Sequence, residues 1–190
     1  MTRKEIKLAA KESLKGNWGV AILALLIAGI ILSAVSFSGI GTLILMGPFA
    51  LGVVMVFSGI VRKQQVSVGT VFGGFSNFAN SFLAGLLVSI FTFLWTLLFW
   101  IPGIIKSYSY SMTFFILNDK PELTNADAIT ESRKLMNGHK MDLFLLDLSY
   151  IGWILLGLLS LGIGFLWISP WMQMAHVRFY EEIKQEQMMV

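Results

Sequence analysis

The chain has 190 residues, 56 % of them hydrophobic and only 13 % charged, with a mean hydropathy of +0.75. Soluble domains carry about 25 % charged residues, so the composition points to a bilayer and leaves no room for a separate soluble domain. Cysteine is absent, which excludes disulfides, thiolate catalysis and cysteine metal sites and leaves the redox compartment open. The net charge of +3 would raise nucleic acid as a partner if it formed a patch, but the positive residues are distributed otherwise, as shown below.

In chain order, the first element is residues 3–15. Lys4, Lys7, Lys11 and Lys15 form one helical stripe, with Ile6, Ala10 and Leu14 on a neighbouring face. This pattern predicts an interfacial helix whose lysines contact anionic headgroups, each worth about 1 kcal/mol. Residues 16–61 follow, a run of 46 without Asp, Glu, Lys or Arg. A crossing needs about 20 predominantly apolar residues, so this run crosses twice, turning near 36–41. Residues 33–36 loosely resemble a signal-peptide cleavage site. The mixed-charge helical segment before them and the equally apolar segments after them predict a retained helix.

Residues 64–105 give 42 more uncharged positions and a second hairpin, its turn either at 92–96 or at 100–103. Residues 118–140 form a polar connector. Within it Thr124 to Asp127 resembles a capping box that opens a helix through Leu135, closed by Asn137 and Gly138. Residues 148–177 supply thirty uncharged positions, which reach hairpin length only with 141–147 included and turn at 161–164.

Thirteen of the fourteen Lys and Arg lie in clusters at 3–15, 62–63, 120–140 and 178–184; Lys106 is the exception. The positive-inside rule places all four clusters in the cytoplasm. The predicted fold is all-α: a polytopic membrane protein with six transmembrane helices, arranged as three hairpins with short cytoplasmic interfacial helices and both termini inside. It forms a single membrane domain, 1–190, with hairpin units of about 1–61, 62–118 and 119–190. A weak three-fold repeat supports these units. Pro48, Pro102 and Pro170 follow Gly16, Gly74 and Gly138 by 32, 28 and 32 residues.

Intramembrane polar residues are costly and tend to mark function. Asp147 lies about two turns into the predicted fifth crossing and needs a partner or water, and His176 and Arg178 reach similar depth on the sixth. Asp142, at the first turn, is accounted for by the helix dipole. Lys106 reaches outer headgroups if the second turn lies at 100–103, and sits near mid-membrane if it lies earlier. Ser107, Tyr108, Ser109, Tyr110 and Ser111 make that segment polar, suiting helix contacts or a wet cavity. Trp95, Trp100, Trp167 and Trp171 lie near the proposed outer turns, as in an aromatic belt. No phosphate loop, zinc motif, nucleophile elbow or carboxylate dyad is present. No catalytic residue, cofactor or metal ligand is expected.

Several segments resemble a family of bacterial membrane proteins catalogued as domain of unknown function 975. They are the Pro102-Gly103-Ile104-Ile105 run, the Asp119-Lys120-Pro121 turn, Ser132 through Lys140, Leu148 through Trp153, and Phe179-Tyr180. The resemblance is strong over 101–183. It implies a polytopic protein of the bacterial cytoplasmic membrane, without catalytic residues to carry over. The residues and the resemblance together predict a non-enzymatic scaffold or accessory factor of the envelope. Its partners would be anionic lipids and another membrane protein or a second copy, with no nucleic acid. The alternative is a small transporter or lipid-handling protein using the polar face around Lys106 and Asp147.

Overall fold

The Thr2 hydroxyl accepts a hydrogen bond from the Glu5 backbone, and Glu5 returns one from the Thr2 backbone at 2.7 Å. This capping box satisfies two orphan donors and starts α1 (Arg3–Ser13). Ile6, Ala10 and Leu14 bury one face of α1 against the C-terminal helix, α10 (Phe165–Met189). In the computed structural model, residues 2–36, 40–98 and 100–189 are described. Among them every regular element is helical.

α2 (Trp18–Val35) is about 27 Å long at 1.5 Å per residue. It buries Ala21, Ala24 and Ala28 and exposes Leu23, Leu26 and Ile30 on the opposite side. Small residues on the packed face let a neighbour approach closely. That neighbour is α3 (Ile40–Val61), the central helix, 67 % buried within its apolar window against 17–22 % for the other long apolar segments. A 3-10 helix (Val68–Phe75) and α4 (Phe78–Leu98) pack against α3. The close approach depends on glycine: a Cβ at Gly74 would lie 2.0 Å from the Pro48 carbonyl oxygen, and one at Gly52 would lie 1.7 Å from that of Val71. Gly16 and Gly138, which hold the same place in the sequence repeat as Gly74, instead take left-handed φ of +82° and +94°. They turn the chain after α1 and after α7 (Asn125–Leu135).

Two helices are interrupted. α5 (Trp100–Tyr110) and α6 (Thr113–Asp119) are separated by residues 111 and 112. Ser109 and Ser111 bond back to the carbonyls of Ile105 and Tyr108 at 2.9 Å each, a competition that loosens the helical ladder. Ser132 of α7, fully buried, repairs the gap. Its hydroxyl accepts from the Met112 N–H at 3.2 Å and donates to the Ser109 carbonyl at 2.9 Å. The second interruption separates α8 (Lys140–Leu148) from α9 (Ile151–Leu159). Here Ser149 bonds back to Leu146, and the Lys7 ammonium donates to the Ser149 carbonyl at 3.0 Å.

Among the described residues four segments, not the expected six, are long and apolar enough to cross a bilayer: Trp18–Val35, Ile40–Val61, Phe78–Leu97 and Lys140–Leu159. The predicted fourth crossing is not one continuous long helix: α5 has 11 residues, about 16 Å, and ends in a polar run at the break. The predicted sixth is the long α10, which from its middle onward carries His176, Arg178, Glu181, Glu182, Lys184 and Glu186. α4 runs unbroken through 92–96 and α5 covers 100–103, so neither stretch expected to turn does so, and the junction between the two helices falls outside the described residues. The expected turn at 36–41 falls largely outside the described residues. The one at 161–164 is present, with Leu161 and Gly162 at positive φ. Trp171, expected near that outer turn, instead donates its indole N–H to the Lys7 carbonyl at 2.9 Å.

Candidate functional site

Asp147 sits in the last turn of α8 before the interruption, and α10 runs back alongside. This register places His176 opposite: its Nε2 lies 2.6 Å from Asp147 Oδ1. From α5, the Tyr108 hydroxyl donates to the other carboxylate oxygen, Oδ2, at 3.0 Å. Phe144, one turn before Asp147, meets the Tyr108 ring edge-on with centroids 5.9 Å apart. Both carboxylate oxygens are therefore engaged, and the side chains of Asp147 and His176 are each about a quarter exposed. A charged group in a membrane helix would cost at least ~2.5–3.5 kcal/mol, and the imidazole and phenol are the kind of partners such a carboxylate would need. His176 also lines a cavity of about 410 Å³ between α2, α3, α6 and α10, otherwise apolar apart from Gln173 and Ser111.

The remaining sequence candidates go elsewhere. Arg178 turns from Asp147 to Ser13 of α1, which accepts from its Nε at 3.0 Å and Nη2 at 2.6 Å. The Lys106 ammonium stands 4.4 Å over the Trp95 ring and does not line the His176 cavity. Lys4 and Lys11 on α1, and Lys15 just beyond it, are exposed. Lys7 departs from that stripe. Its ammonium points inward, bonding the carbonyl and hydroxyl of Ser149 and standing 4.3 Å from the Tyr150 ring centroid and 5.6 Å from that of Trp171. Burial lowers its pKa from the ordinary lysine value.

A second polar cluster has no counterpart in the sequence reading. Asp119, at the end of α6 with its side chain 8 % exposed, receives Arg62 on one oxygen at 2.5 Å and Lys184 and Tyr180 on the other. Arg62 also binds Glu181 Oε1 through Nη2 at 2.8 Å and Nε at 3.2 Å. Two cations and two carboxylates close a neutral network joining the end of α3, the end of α6 and α10. Burial pushes the Asp119 carboxyl up, but the hydrogen bonds from Lys184 and Arg62 outweigh it and hold the pKa below the ordinary value. Such pairings leave no sequence signal, because their members lie 57 to 119 residues apart.

Long apolar helices tied together by internal polar contacts are compatible with an integral membrane protein. A family model described as a protein of unknown function (DUF975) matches residues 1–106 and 97–187, and the chain belongs to that family. No curated protein and no solved structure matches it.

Proposed function

We propose that this is a multi-pass protein of the bacterial cytoplasmic membrane, with both termini in the cytoplasm, acting as a scaffold or accessory factor of the envelope without chemistry of its own. The observation that carries this reading is how the polar side chains are spent. Asp147, His176 and Tyr108 close on one another, Arg62, Asp119, Glu181 and Lys184 do the same, and Lys7 is held at the α8–α9 break. Each set joins helices. Lys106 stands over Trp95, and neither it nor Asp147 lines the cavity that His176 lines.

The six-crossing topology belongs to this proposal. α5 with α6 serves as a broken fourth crossing and α10 as the sixth. Phe91 and Tyr110 pair α4 with α5, their rings 6.2 Å apart, and Trp153 and Trp171 pair α9 with α10 at 5.3 Å. In each case an antiparallel hairpin accounts for the register. Exposed apolar side chains on α9, among them Leu155, Leu158 and Leu159, suit lipid, a membrane-protein partner or a second copy.

Two measurements test it. Reporter fusions after Gln64, Lys120 and Val190 should read cytoplasm, and a fusion near Gly162 should read the exterior; an exterior signal at Val190 removes the six-crossing arrangement. Pull-down from native membranes in mild detergent, tagged at the C-terminus, should retain an envelope protein in fixed stoichiometry through a second purification step. Isolation as a bare monomer that moves lipid or solute in proteoliposomes would instead favour the second reading, a small transporter or lipid-handling protein. That reading draws on the apolar cavity beside His176.

A further inference from the structure

Arg178 holds the clue to a second site. It is the first Lys, Arg, Asp or Glu of α10, where the apolar half gives way to the charged one, yet among the described residues neither it nor Lys15 nor Lys63 has a carboxylate salt-bridge partner. These three cations, carried by α10, the end of α1 and the end of α3, line one cavity of about 480 Å³. Glu12 opposes them, leaving three cations against one carboxylate, with the amides of Asn17 and Gln64 completing the polar wall.

Two details show how the cations are held. The Ser13 hydroxyl donates to the Ala9 carbonyl at 2.6 Å and accepts both Nε and Nη2 of Arg178, which fixes one edge of the guanidinium and leaves Nη1 without a hydrogen-bond partner among the described residues. Lys63 occupies the left-handed position that ends α3, with φ of 56°, where the Gln64 N–H returns to the Gly59 carbonyl at 2.9 Å. Glycine is the residue that position favours. A lysine there carries backbone strain that the helix end does not require.

The depth of the cavity follows from its neighbours. Asn17 precedes α2 and Val61 closes α3, and both helices are long and apolar enough to span. The cavity therefore lies at a span end, the level of lipid phosphates. We propose that Lys15, Lys63 and Arg178 bind a phosphate-bearing anion there, with Arg178 donating through Nη1 and the two ammonium groups neutralising charge. A lipid headgroup and a free phosphate compound share this chemistry. The proposal rests on α2 and α3 being membrane spans, and holds whether the protein acts as a scaffold or as a transporter.

The test uses the full-length protein in neutral detergent, reading the thermal midpoint against short-chain phosphatidylglycerol, short-chain phosphatidylcholine and inorganic phosphate. Phosphatidylglycerol should stabilise at far lower concentration than phosphatidylcholine. Saturable stabilisation by inorganic phosphate would assign a free phosphate compound, and its lack alongside the phosphatidylglycerol response would assign a headgroup. Each cation near a membrane surface contributes about fivefold in affinity. Lys15→Gln with Lys63→Gly and Arg178→Gln should weaken the response about a hundredfold. Lys63→Gly alone separates binding from folding: it should raise the anion-free midpoint while weakening the anion response about fivefold. Arg133→Gln with Lys134→Gln removes two exposed charges of α7 that do not line the cavity and should leave the response unchanged. Equal stabilisation by the two lipids with none by phosphate would overturn the proposal, as would an Arg133/Lys134 variant that loses as much as the triple variant.

Discussion

Asp147 and His176, 29 residues apart in the chain, meet at 2.6 Å where α8 and α10 run side by side, and Tyr108 closes the other carboxylate oxygen. The contact joins three helices through one carboxylate. Asp147→Leu leaves the imidazole and phenol without their acceptor, whereas Asp147→Asn keeps size and part of the hydrogen bonding. Removing one member of a buried pair costs about 3–5 kcal/mol. With both side chains a quarter exposed, the expected loss for Leu is lower, about 1–2 kcal/mol, with Asn losing less than half of that. Thermal unfolding in detergent reads the difference. A Leu variant as stable as the parent would show that the pair contributes nothing to holding the helices together.

The Asp119 network predicts a pH signature. The folded-state pKa of Asp119 lies below its ordinary value, so its contribution is complete above that ordinary value, about 3.9, and is lost as pH falls through the lowered folded value. Asp119→Asn should therefore be less stable than the parent by a constant amount between pH 5 and 7. The gap should narrow only below about pH 4. Thermal midpoints of the two proteins across pH 3–7 check this. A gap that closes already at pH 6 would mean that Asp119 is not held ionised by Arg62 and Lys184.

Ser132 supplies a hydroxyl at the break between α5 and α6, where Met112 N–H and Ser109 C=O find no other described partner. Ser132→Ala should cost about 1–3 kcal/mol, since it leaves buried backbone groups unsatisfied. Amide exchange should rise at Met112 and its neighbours and stay unchanged in α2. Equal protection at Met112 in the variant would reassign Ser132 to simple packing.

What was legible in the sequence follows from which forces act locally. The uncharged runs mark the long helices because about 20 apolar residues in a row have few alternatives. The Thr124 cap was readable because a cap spans only three or four residues, and Thr124 does accept from the Asp127 N–H. The cost of leaving a carboxylate unpaired in an apolar helix singled out Asp147 and its two possible partners. It could not rank His176 over Arg178, because the competing acceptor, Ser13, is 165 residues from Arg178. The two helix breaks were hidden for a similar reason. Serines at 109, 111 and 149 only permit a break, while Ser132 and Lys7, far away in the chain, stabilise it. Likewise, a stripe of four lysines predicted α1's polar face correctly in outline but gave no sign that Lys7 turns inward.

That inward turn makes α1 a docked element rather than a free surface helix. The Lys7 ammonium replaces lost helical hydrogen bonding at Ser149, and its own backbone carbonyl is held by Trp171. Lys7→Met keeps the aliphatic stem against Tyr150 but removes the donor and the cation–π contact, worth together about 1–2 kcal/mol at a partly exposed site. Hydrogen exchange across residues 3–13 should accelerate in Lys7→Met and stay at the parent rate in Lys4→Gln and Lys11→Gln, whose side chains are exposed. The sign with pH is also set. Because burial lowers the folded pKa of Lys7, desolvation opposes its charge, and stability rises rather than falls as pH climbs through that lowered value. Parent α1 should therefore remain docked from pH 7 to about 10, once its exchange rates are corrected for the intrinsic pH dependence of the amides. Release of α1 on alkalinisation, or equal acceleration in all three variants, would show that surface charge and not the Ser149 contact holds the helix in place.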